Sequence, residues 1–95
     1  MRLGDNIMTK GKTKSGFAYH LAEGFEDDME LLELLTEMDD GNTKVVPKVL
    51  TRLLGEDQKR KLYDHCRTDT GRVPITAVAE ELAEIFKQQN ATKKS

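Results

Sequence analysis

Between Asp27 and Gln89 the apolar residues recur at helical spacing in four successive runs, separated by glycine or by polar turn residues. A chain patterned this way buries one stripe per helix against its neighbours. Leu31, Leu34, Leu35 and Met38 make the first stripe, which Leu32 widens, and Asp39-Asp40-Gly41 closes it with turn chemistry. Val46, Val49, Leu50, Leu53 and Leu54 make the second. Asn42 or Thr43 can cap that helix, Pro47 fits its first turn, where backbone amides lack partners, and Gly55 ends it. Fully burying side chains of this kind stabilises by roughly 1.5–3 kcal/mol each as an upper estimate, so the second stripe is the expected core helix. Glu56 and Asp57 open a third helix with the narrower face Leu62, Tyr63 and Cys66. After the turn Asp69-Thr70-Gly71, a fourth runs from about Pro74 to Gln89 with Ile75, Val78, Leu82, Ile85 and Phe86 on one face.

Upstream the period changes. Phe17, Tyr19 and Leu21 alternate with Ala18, His20 and Ala22, which suits a short strand with one buried face. Residues 1–16 hold four basic residues and three glycines without a sustained period, and are expected to be a flexible arm. The fold class that results is mainly α: a small bundle of about four short helices in a single domain over residues 17–89, with the arm before it, a disordered tail at 90–95, and room for a short N-terminal strand pair.

Fifteen basic and 17 acidic side chains leave a formal charge of -2, which provides no general attraction to nucleic acid or to anionic lipid. Cys66 is the single cysteine, so no internal disulfide can form; with no apolar leader and no membrane-length apolar run, the reducing cytoplasm is the expected compartment. Neither nucleic acid nor membrane is an expected partner.

Reactive constellations are sparse. His65 and Cys66 are adjacent, so on a helix their side chains diverge by about 100° and cannot act as base and nucleophile; Cys66 reads as a core thiol and His65 as a surface residue. Placing Gly71 at the sixth position of a calcium loop puts Cys66, Thr68, Thr70 and Ala77 where ligands belong, and none is a carboxylate. No metal, no cofactor and no catalytic activity are expected. Lys59, Arg60, Lys61, His65 and Arg67 allow an alternative, a small helix-turn-helix-like DNA-binding regulator, although Glu56, Asp57 and Asp64 dilute the positive charge. Another protein-interaction module is a third reading.

Beyond these patterns the chain resembles the tail assembly chaperones encoded by phages and prophages of Gram-positive bacteria with long non-contractile tails. The matching pieces are Ser15-Gly16-Phe17, Asp28-Met29-Glu30-Leu31-Leu32-Glu33-Leu34-Leu35, Asp39-Asp40-Gly41, Leu53-Leu54-Gly55-Glu56-Asp57-Gln58 and Gly71-Arg72-Val73-Pro74-Ile75, in order over roughly residues 15 to 89. A tryptophan often stands in that family where this chain has Met29. The resemblance implies an adaptor that coats the tape measure protein, keeps it soluble and leaves as tail tube protein polymerises around it, acting in the host bacterial cytoplasm and absent from the finished virion. In the family it resembles, many members are also made in a longer frameshifted form, with which Lys93-Lys94 is compatible. An acidic helical protein with spare apolar side chains suits such work; Met29, Leu32 and Met38 are the expected partner-binding or self-association residues.

Overall fold

The computed structural model describes residues 10–94, with side-chain surroundings up to Gln89. Among these residues the order is β1 (Lys10–Lys12), β2 (Ala18–His20), a 3-10 turn at Phe25–Asp27, α1 (Met29–Asp39), a second 3-10 turn at Thr43–Val45, α2 (Val46–Leu54), α3 (Glu56–Cys66) and α4 (Ile75–Lys94). The fold is mainly α, four helices with a two-stranded antiparallel sheet, as the periodicities require.

The strand pair forms within residues expected to be arm. Residues 1–9 lie outside the described part, but Lys10, Gly11 and Lys12 pair with His20, Tyr19 and Ala18 in antiparallel register. Gly16 N–H donates to the Thr13 carbonyl at 2.9 Å, and Phe17 N–H donates to Thr13 Oγ1 at 3.1 Å, closing the turn between the strands. Gly11 is needed there because the Tyr19 ring lies across it: a Cβ at position 11 would stand 2.6 Å from the tyrosine hydroxyl. Along β2 and the residues flanking it one parity, Phe17, Tyr19 and Leu21, is buried while Ala18, His20 and Ala22 are exposed. Gln58 of α3 satisfies both backbone groups of His20, its carbonyl accepting from His20 N–H at 2.6 Å and its amide donating to the His20 carbonyl, so a side chain takes the place of a further strand.

At the centre lies α2, packed against α1 and α3, with Val46, Val49, Leu50, Leu53 and Leu54 all buried. Leu31 of α1, Leu62 of α3 and Val78, Leu82 and Ile85 of α4 close around it. Phe25 and Val45, in the two 3-10 turns, are also buried, although neither belongs to a helical stripe.

Three expectations need correcting. Residues 90–94 are not a disordered tail but the end of α4, because no glycine or proline interrupts the chain after Pro74. Leu32 does not widen the buried face of α1; it is 55% exposed, since Leu31, Leu34, Leu35 and Met38 already fill the contact with α2. Ile75 does not join Val78 and Leu82; it opens α4 directly after Pro74 and is 65% exposed.

Asp28 begins α1. Its carboxylate accepts from Glu30 N–H at 3.1 Å and Leu31 N–H at 3.2 Å and pairs with Arg52 Nε at 2.8 Å, joining the helix start to α2. The Arg52 hydrogen bond, then the two backbone amides, hold the Asp28 carboxyl below the ordinary aspartate range. A group whose pKa is depressed on folding stabilises fully above its unfolded value and loses that contribution as pH falls through the folded one. Wild type is therefore expected to melt higher than an Asp28→Asn variant near neutral pH, with the difference shrinking below about pH 4. Thermal melts of both proteins across pH 3–7 check this; a constant difference would refute it.

Candidate binding surfaces

The outer face of α1 carries exposed apolar side chains ringed by carboxylates. Met29 is 67% exposed and Leu32, three residues on, lies beside it at 55%. Glu26, Asp27 and Glu33 are exposed near them in the chain, and none has an ion-pair partner among the described residues. Met38 lies elsewhere: it is half-buried and packed on the core. The structure thus groups Met29 with Leu32 and sets Met38 apart.

On the other flank of α1 lies an open groove of about 490 Å³. Glu30, Glu33 and Glu37 form one side, and Lys48, Arg52 and Lys59 the other. These charges largely serve each other or the fold: Arg52 reaches Glu30 at 2.7 Å and Asp28 at 2.8 Å, and Lys59 reaches Glu56 at 3.2 Å.

A third surface escaped the sequence reading. Val46, Pro47, Tyr63, Val73, Ile75 and Val78 line a notch of about 190 Å³, with Thr43 and Lys44 as its polar members. Three segments distant in the chain meet there, so no single helical stripe announces it; the one signal was an isoleucine directly after a proline at a helix start, where packing is incomplete.

Two polar groupings invite a chemical reading. Ser15 Oγ lies 2.7 Å from Glu81 Oε2, 2.9 Å from His65 Nε2 and 3.2 Å from Thr13 Oγ1. The carboxylate can only accept, so the serine proton goes to Glu81, and His65 Nε2–H and the Thr13 hydroxyl fill the two serine lone pairs. Activation of a serine needs the opposite, a histidine nitrogen accepting the hydroxyl proton. This network instead ties the β1–β2 turn to α3 and α4, together with Lys14 N–H donating to Glu84 at 2.8 Å and the Phe17 ring 5.6 Å from that of His65. Cys66 is half-buried and packed on the core; burial, and after it the Glu81 carboxylate, push its thiol pKa up, which suppresses the thiolate.

On α3, Lys59 is held by Thr51 and Glu56, and Arg67, just past its end, by Asp64 at 3.0 Å and the Gly71 carbonyl at 3.1 Å; Arg60 and Lys61 are the α3 cations without an ion pair among the described residues. Among the described residues no group of three or more metal-ligating side chains converges, and no helix is long and apolar enough to cross a membrane. Set against known protein families, curated proteins and solved structures, the chain matches none.

Proposed function

We propose that this chain is a tail assembly chaperone of a phage or prophage, a binding protein that covers apolar stripes on the unassembled tape measure protein and keeps it soluble while the tail tube forms. The observation that supports this most is the pair Met29 and Leu32, exposed side by side on a helix whose other outward side chains are mostly acidic. Exposed apolar side chains on a small domain are the means of gripping an amphipathic helix. The surrounding carboxylates favour a partner with basic flanks, and add charge that keeps a coated partner from aggregating. The chaperone acts in the host cytoplasm, where the tape measure protein is made, gives way to tail tube protein, and does not enter the finished virion.

Co-expression with the tape measure gene tests the proposal. Soluble tape measure protein is expected to rise with wild type and to fall back roughly tenfold or more with Leu32→Asp, which sets a carboxylate in the apolar contact. Leu32 is exposed, so the variant is expected to fold and melt within about 0.5 kcal/mol of wild type. Equal soluble yield and equal co-purification with the two proteins would count against the α1 face; no gain with wild type would count against the function.

A further inference from the structure

The α1 face and the notch are complementary in shape and in charge. One presents Met29 and Leu32 among carboxylates; the other is concave, apolar, and has Lys44 as its only charged lining residue. Arg72, exposed next to Val73, adds a second cation nearby, and neither Lys44 nor Arg72 has an ion-pair partner among the described residues. A cavity of about 150 Å³ is enough to hold a benzene ring, so a notch of about 190 Å³ has room for a leucine or methionine side chain. No residue of α1 lines the notch, so one molecule can use both surfaces at once.

We infer that the chain associates with copies of itself head to tail, the Met29–Leu32 face of one molecule seated in the Ile75 notch of the next. The two contacting surfaces differ, so the interface is heterologous and growth continues unless the arrangement closes into a ring. Few side chains take part, which places the association in the weak class that forms at high protein concentration. Charge complementarity between the acidic face and Lys44 makes it sensitive to salt. Self-association does not rest on the tape measure reading, but both uses of the α1 face need Leu32, so assembly into chains and capture of a partner exclude each other at that face.

Sedimentation equilibrium on the full chain tests the inference. Wild type is expected to show a mass that climbs above the monomer as concentration approaches about 1 mM, where contacts of this weak class become populated. Leu32→Asp and Ile75→Asp are each expected to stay monomeric over the same range. An equimolar mixture of the two is expected to form dimers and stop there, because the first keeps an intact notch and the second an intact α1 face. Both positions are more than half exposed, so folding is expected to survive; Met29→Glu and Lys44→Glu serve as second variants, each weakening association roughly tenfold. Wild type that remains monomeric, single variants that associate as wild type does, or a mixture that fails to pair would each overturn the inference. Ile75→Asp separates it from the functional proposal: it removes self-association while leaving the partner-binding face intact.

Discussion

Replacing Leu53 with alanine is expected to destabilise the protein by about 2–5 kcal/mol, the range for emptying a fully buried leucine site. Leu53 has no exposed surface, lies on the helix that α1 and α3 both pack against, and its carbonyl accepts from Ala22 N–H at 2.8 Å, joining the segment that follows β2 to the core. For a chain of 95 residues this corresponds to a fall in Tm of roughly 10–30 °C. A domain of this size holds only about 5–15 kcal/mol in total, so the variant approaches the limit of folding. Urea denaturation reads the loss as a lower midpoint with an unchanged slope. Leu32→Ala is the control: the same atoms are removed from a site that is mostly in water, and a change within about 0.5 kcal/mol is expected. Similar losses from the two variants would mean that α2 is not the centre of the core.

The second large effect is expected at Gly55, which ends α2 and starts α3 with no residue between them. Its φ of 87° and ψ of 162° fall in a region that only glycine enters readily. A Cβ there would meet nothing within 4 Å, so any penalty is backbone strain and not a collision with the rest of the fold. Gly55→Ala is expected to cost about 1–3 kcal/mol. Gly55→Asn is expected to do no better, since asparagine tolerates the left-handed helical region near ψ of about 45° and not this one. D-alanine placed at 55 by chemical ligation is expected to recover the loss, because mirror symmetry makes that conformation ordinary for a D-residue. Chemical denaturation of the three proteins decides the matter; a Gly55→Ala variant as stable as wild type would show that the helices can meet at another angle.

Much of the fold was legible because helices announce themselves by period. The α2 stripe is buried at all five of its positions, and Gly55 and the Asp39-Asp40-Gly41 turn bound the helices beside them. The alternation of Phe17, Tyr19 and Leu21 likewise marked a strand with one buried face. What periodicity cannot express is which neighbour covers a stripe. Leu32 and Ile75 satisfy the spacing of buried residues yet are mostly exposed: the other apolar residues of α1 already fill its contact with the core, and Ile75 opens α4 directly after Pro74. Phe25 and Val45 are buried without belonging to any stripe, because 3-10 turns fold them under the helices.

The candidate surfaces divide in the same way. Met29 and Leu32 were recognisable as apolar residues in an acidic helix, while Met38, similar in type, proved to face the core. Local spacing and turn chemistry alone determined that the chain would be helical, where its helices would break, and that β2 would bury one face, since each of these depends only on residues a few positions apart. The tertiary structure decided the pairing of Lys10–Lys12 with β2, the anchoring of the Ser15 turn by His65 and Glu81, and the notch that joins Val46, Tyr63 and Ile75. The strand pairing is a local hairpin whose first strand carries no period of its own, whereas the Ser15 anchors and the notch join residues far apart in the chain and exist only once four helices have settled against one another, where side-chain volume and hydrogen-bond geometry choose among packings that no local pattern distinguishes.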